Sequence, residues 1–207
     1  MRVVFLQWGT AVAHAAMMVK SCKRLGYEVV QLSDEAAPEI DGVDRVERKP
    51  MTSPRMVYRY ERLVEVEPPY VMLDTDMLVA QDISDGFGDE QVALSWREHS
   101  QIIHKETRRV IPMPYNGGLV FVRDGQFIVD CLAYMKTLEP TFQDWYGDQM
   151  ALAAIGPRYG VNVLRQRVWN WAPEGPRDAH RDVRIYHFKG PKRKELMPIF
   201  AARLGLT

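Results

Sequence analysis

Tyr70-Val71-Met72-Leu73-Asp74-Thr75-Asp76 is the stretch on which the reading of this chain turns. Four apolar residues without polar alternation read as a strand buried on both faces, as the strands of a parallel sheet are. Pro68-Pro69 ends whatever helix precedes it, and the strand runs directly into two carboxylates. In open α/β sheets ligands bind beyond the carboxyl ends of the strands, which is where Asp74 and Asp76 would sit. Two carboxylates facing one cleft repel each other unless a positive charge neutralises them, and a divalent cation does so most directly. Oxygen ligation with one imidazole suits Mg2+ or Mn2+ better than a thiophilic metal. Taken alone, Asp-x-Asp more often closes a strand as a solvated turn.

Outward from this strand, the chain alternates. Val3 to Leu6 is a short β-branched and apolar run. Gly9-Thr10 follows, and then Val12, Ala16, Val19 and Cys22 at helical spacing. Gly26 suits the end of that helix, and Glu28 to Leu32 is a second strand, so the chain opens as βαβ. Val43 to Glu47 is a third strand candidate. Ser53-Pro54 supplies an N-cap and first-turn proline for a helix carrying Met56, Val57, Tyr60, Leu63 and Val64. Further strands are expected at Val92 to Trp96, Gly118 to Val122, Val161 to Leu164 and Arg184 to Phe188. Helices are expected at Gly125 to Leu138, Gly147 to Ile155 and Glu195 to Leu204. Strands alternating with helices predict an α/β fold, with a mostly parallel central sheet, helices on both faces, and a single domain over residues 1–207.

Four more constellations accompany the two carboxylates. In His187-Phe188-Lys189-Gly190-Pro191-Lys192-Arg193-Lys194 an imidazole leaves a strand and four cations crowd a Gly-Pro turn. A diphosphate needs cations and close backbone approach, and a neutral imidazole can complete the shell of a bridging metal. A solvated basic turn is the bland alternative. Tyr115-Asn116-Gly117-Gly118 places two glycines and an amide where a flat or sugar-like ligand could be approached, or simply makes an Asn-Gly turn. Asp148-Gln149 opens a helix, where Asp148 could be a cap. Arg59 and Arg62, one turn apart, ordinarily mark an amphipathic surface.

Composition narrows the partners. Lys+Arg and Asp+Glu both number 27, a net charge of zero, which argues against a nonspecific nucleic-acid binder. That total conceals segregation, with carboxylates at 74–76 and cations at 189–194. No run approaches the eighteen or so apolar residues of a membrane span, and the opening Val3 to Leu6 meets Gln7 too soon for a signal-peptide core, so a cytoplasmic protein without an integral membrane segment is expected. Cys22 and Cys131 match no metal-ligand spacing and read as buried reduced thiols.

In their order, these blocks resemble the GT-A-fold glycosyltransferases, most closely the glycogenin-like and lipopolysaccharide-galactosyltransferase-like group called glycosyltransferase family 8. The matching residues are Tyr58 to Leu63, Tyr70 to Val79, Tyr115 to Phe121, Gly147 to Leu152 and His187 to Gly190. The resemblance implies a Rossmann-like GT-A domain that transfers a hexosyl group from a nucleotide-diphosphate sugar, with retention, to a hydroxyl of a glycan, lipid-linked or protein acceptor. It implies Mn2+ (or Mg2+) on Asp74, Asp76 and His187. It places Gly190, Lys192, Arg193 and Lys194 at the diphosphate and Arg62 on the donor. Asn116, Gly117 and Gly118 would line the sugar site, and Asp148 and Gln149 would lie near the anomeric centre. The family's nucleobase loop with Asp and Tyr is replaced by Gln7-Trp8-Gly9-Thr10, in which Gln7 could hydrogen-bond a uracil and Trp8 stack on it. The polar and basic residues 97–114 could close over the donor.

Other readings compete with this one. A haloacid-dehalogenase-like phosphatase also carries a strand-borne Asp-x-Asp, but on the first strand and with Thr or Val where this chain has Leu78. A sugar-nucleotide pyrophosphorylase wants a Gly-rich phosphate loop, and residues 1–30 contain none. A non-catalytic nucleotide-sugar or carbohydrate binder would keep the pocket without turnover.

Overall fold

The computed structural model describes residues 1–97, 101–104 and 106–206. In chain order its elements begin with β1 (Arg2–Gln7), α1 (Ala13–Lys23), β2 (Glu28–Ser33), β3 (Arg45–Arg48), α2 (Arg55–Leu63), β4 (Tyr70–Leu73), β5 (Met77–Val79), β6 (Val92–Trp96), β7 (Gln101–Ile103), β8 (Val110–Pro112) and β9 (Tyr115–Val122). They continue with α3 (Gly125–Lys136), α4 (Pro140–Trp145), α5 (Gly147–Ile155), β10 (Val161–Leu164), α6 (Gln166–Trp169), β11 (Ile185–His187), α7 (Gly190–Lys194) and α8 (Met197–Arg203). The fold is mixed α/β, with a mostly parallel central sheet and helices around it, as the alternation of strands and helices predicts. Two compact units divide the chain. One comprises Met1–Pro50, Val71–Asp85 and Arg165–Thr207, the other Met51–Tyr70 and Gly86–Leu164.

In the first unit β1 lies between β4 and β2, parallel to both, with Val3 opposite Val71 on one side and Val29 on the other. β3 extends this ribbon in parallel, Val30 facing Arg45. A central strand covered on both faces needs apolar residues at successive positions, and Val3, Val4 and Phe5 are fully buried. Each such side chain contributes about 1.5–3 kcal/mol on burial. α1 buries Met18, Val19 and Cys22 and packs on β2 and β5. It ends at Lys23, and the turn that follows closes on Gly26, whose φ of +75° is a left-handed conformation that favours glycine. Cys22 and Cys131 are buried and unbridged.

β5 was not anticipated, because three residues show no periodicity. It pairs antiparallel with β11, setting His187 opposite Met77 and Ile185 opposite Val79. β11 is anchored from beyond by aromatic packing: Phe200 of α8 stands 4.9 Å from the Tyr186 ring and 5.4 Å from that of Phe188.

In the second unit β6 runs parallel to β10 and antiparallel to β9. The β6–β9 register slips between Leu94 and Ser95, beyond which Ser95 faces Asn116. α2 packs against α3, α4 and α5, and α5 lies on β9. The expected Ser53 N-cap does not form: Pro54 holds that position, and the Ser53 hydroxyl donates to Glu61 instead. Within the polar stretch 97–114, β7 and β8 make an antiparallel hairpin with Ile103 facing Val110. The reading of this stretch as a closing segment also falls on residues 98–100 and 105, which lie outside the described residues. Among the described residues no helix is long and apolar enough to cross a membrane.

Candidate functional site

Asp74 and Asp76 leave the carboxyl end of β4, and the β5–β11 ladder brings the third group to them. The Phe188 amide donates to the Asp76 carbonyl at 2.9 Å, so the backbone itself holds His187 beside Asp76. His187 Nε2 stands 3.2 Å from Asp76 Oδ1 and 3.7 Å from Asp74 Oδ2. One ligand atom from each of the three residues falls within 4.8 Å of the others. Neighbouring ligands on a hard divalent cation with bonds of roughly 2.1 Å stand about 3 Å apart, which these separations approach.

The electrostatics suit a cation. Burial opposes ionisation of Asp76, but its polar neighbours His187 and Lys194, the Lys194 ammonium standing 3.2 Å away, outweigh it and hold the carboxyl below its ordinary value of 3.8. Burial keeps the His187 imidazole below its ordinary value of 6.5, against the pull of Asp76, so the ring is neutral at pH 7 and able to ligate. Its Nδ1 meets Asn170 Oδ1 at 2.9 Å. Two carboxylates and a neutral imidazole form a donor set suited to Mg2+ or Mn2+, and the residues present fit such an ion.

The basic turn divides its labour. Gly190 has φ of +77°, which turns the chain sharply between β11 and α7. Lys194 Nζ lies 3.2 Å from Asp76 Oδ2. Arg193 instead pairs with Glu174, and Lys192 is exposed.

In the same unit, the buried Gln7 directs its amide nitrogen to the carbonyls of Trp8, Gly9 and Ala11, at 3.3, 3.4 and 3.1 Å. It therefore braces the loop in which Trp8 is half-buried.

The second unit gathers another polar group. Asp148 is no cap: it is buried at the start of α5, and its Oδ2 stands 3.9 Å from Nη1 of Arg59 on α2. Gly117 permits this approach, since a Cβ there would come within 2.1 Å of Asp148 Oδ2. Asn116 Oδ1 accepts from the Gly118 amide at 3.1 Å. Gln149 is half-buried, and its Oε1 accepts from Arg97 Nη1 at 2.7 Å. Arg62 is buried and paired with Glu65 at 3.1 Å. Neither Arg59 nor Arg62 is the amphipathic surface residue their spacing suggested, and Arg59 is the one set beside Asp148. The parts played by Arg59, Arg97 and Asn170 escaped the sequence reading.

No family model and no curated protein matches this chain. Solved structures define its class of fold, that of the GT-A-type glycosyltransferases. One is a glycosyltransferase involved in glycosylation of the major capsid of PBCV-1, 13% identical, with a TM-score of 0.63 over 96% of this chain and 98% of that one. Another is the galactosyltransferase LgtC in complex with donor and acceptor sugar analogs, 17% identical, with a TM-score of 0.57 over 98% and 96%. The 2-C-methyl-D-erythritol 4-phosphate cytidylyltransferase of Thermus thermophilus is also similar, at 13% identity and a TM-score of 0.53 over 97% and 98%. At these identities the likeness is one of fold. Glycosyl and nucleotidyl transfer both occur on it, so the site must choose between them.

Proposed function

We propose that this protein is a metal-dependent glycosyltransferase, a single GT-A-like domain over residues 1–207 that moves a hexosyl group from a nucleotide-diphosphate sugar to an acceptor hydroxyl with retention of configuration. UDP-sugar is the donor and Mn2+ the metal under this reading. The observation that carries it is the Asp74–Asp76–His187 group at the end of a sheet strand, with a lysine at its edge. A phosphatase of the haloacid-dehalogenase kind has no use for the buried imidazole between its carboxylates, and that alternative loses its support.

A bound divalent ion supplies a Lewis acid for the diphosphate leaving group. Asp74, Asp76 and the His187 Nε2 hold that ion. Lys194 and Lys192 meet the phosphate charge that grows as the anomeric C–O bond breaks, and Gly190 lets the backbone come close. Arg193, tied to Glu174, contributes its charge from further off. On the sugar, Asp148 accepts from hydroxyls, with the Arg59 guanidinium 3.9 Å from its Oδ2. Asn116, with Gly117 and Gly118 beside it, offers amide and backbone contacts. Gln149, its carbonyl engaged by Arg97, presents its NH2 as a donor. Trp8 stacks on the nucleobase while Gln7 shapes its loop. A same-face attack by the acceptor, whose hydroxyl proton passes to the departing diphosphate oxygen, then needs no protein nucleophile.

Calorimetric titration with a panel of nucleoside diphosphates, with and without Mn2+, tests this reading. Metal-dependent UDP binding that disappears in Asp76→Ala is expected, and absence of nucleotide binding in the presence of metal would overturn the proposal. Release of free sugar from a donor panel separates an enzyme from a binding module. NMR of the first-formed anomer tests retention.

A further inference from the structure

We propose that Asn170 is a positioning residue that holds the His187 proton on Nδ1 and so keeps Nε2 as the metal-ligating nitrogen; this rests on the metal-site reading above. Asn170 is fully buried and His187 nearly so. Their side chains meet at 2.9 Å, Oδ1 against Nδ1. Neither is free to drift, because the intervening backbone is laddered: the Trp171 amide donates to the Ile185 carbonyl at 3.0 Å, and the His187 amide to the Trp171 carbonyl at 2.7 Å. The Asn170 amide is itself bound to the Gln166 carbonyl at 2.9 Å.

A neutral imidazole has one proton for two nitrogens. Asp76 Oδ1, 3.2 Å from Nε2, would draw that proton to the wrong nitrogen, leaving the Nδ1 lone pair against the Asn170 carbonyl oxygen in a dry interior. Two features oppose this. Lys194 already answers the Asp76 charge from the other carboxylate oxygen, at 3.2 Å. The Asn170 oxygen, fixed by its backbone, accepts from Nδ1–H. Nε2 is then left as a lone pair facing two carboxylates, an arrangement that a cation resolves. Metal-bound histidines generally depend on a partner of this kind at the second nitrogen.

Long-range 1H–15N correlation spectra of His187 in the metal-free protein at pH 8 read the proton's position without activity or metal. The Nδ1–H tautomer is expected in the wild type. Asn170→Leu should shift His187 toward Nε2–H and weaken Mn2+, followed by calorimetry or electron paramagnetic resonance, about 10- to 100-fold. Asn170→Asp, which keeps the acceptor, should retain the tautomer and restore affinity to within about threefold of wild type. Dominant Nε2–H in the wild type overturns the proposal, and needs no variant to fold. So does a folded Asn170→Leu protein with unchanged tautomer and affinity. A wild-type protein that shows the Asn170-dependent tautomer but takes up no Mn2+ overturns the metal reading and upholds the placement of the proton.

Discussion

Arg59 Nη1 lies 3.9 Å from Asp148 Oδ2, with each side chain only 6% exposed. A charge pair so deeply placed adds little net stability, but removing one partner strands the other in a dry interior. Arg59→Met is therefore expected to destabilise the protein by about 3–5 kcal/mol in urea unfolding, and Arg59→Met with Asp148→Asn to recover more than half of that. A single-variant loss below about 1 kcal/mol would show that the two charges are solvated.

Gly117 is required by what it faces. With a Cβ 2.1 Å from Asp148 Oδ2, the carboxylate must swing away or the strand must move. Gly117→Ala should cost about 1–3 kcal/mol of stability and abolish donor turnover, while Gly175→Ala, at a position open around its Cβ, should leave donor turnover unchanged. Thermal unfolding and sugar-release assays on the two variants decide this.

The cations of the basic turn are separable. Lys194 stands against Asp76, whereas Arg193 is held by Glu174. Lys194→Met should weaken UDP binding in the presence of Mn2+ about tenfold, or ~1.4 kcal/mol, and Arg193→Met by no more than about threefold. Equal losses in calorimetry would return the phosphate contact to Arg193.

A pH signature sits away from the site. Tyr27 donates to Asp82 Oδ1 at 2.5 Å, and this bond, with those from Ser84, holds the Asp82 carboxyl at about 2 against an ordinary 3.8. A depressed carboxyl stabilises the fold above pH 3.8, and that contribution disappears as pH falls through about 2. Tyr27→Phe should raise the Asp82 value toward 3.8, seen by carboxyl NMR titration. Its stability gap to wild type should also narrow as pH falls through that same window.

Much of the frame was legible because burial leaves a pattern. β1, β4 and β6 are apolar runs, α1 repeats at helical spacing, and Gly26 marks its end. Asp74, Asp76 and His187 were legible as chemistry at strand ends. What escaped reading depends on tertiary partners. β5 and the β7–β8 hairpin are too short for periodicity, so the ladder that delivers His187 was invisible. Arg59 and Arg62 have helical spacing compatible with solvent, and only the packing of α2 against three helices buries them. Asn170 sits among turn residues, where an amide usually serves its own backbone. Its neighbour across the β11 ladder could not be inferred from local sequence.

The antiparallel pairing of β5 with β11 ties two thermodynamic events together. Since the imidazole arrives on the same hydrogen-bonded segment that closes against the residues after Asp76, detaching that segment dismantles the ion's coordination sphere. A cation at a hundred times its Kd then adds about 2.7 kcal/mol to the cost of opening it. Hydrogen exchange of the amides of His187 and Phe188 should slow by about a hundredfold under those conditions, making the segment that carries the imidazole a reporter of occupancy at the site it helps to form.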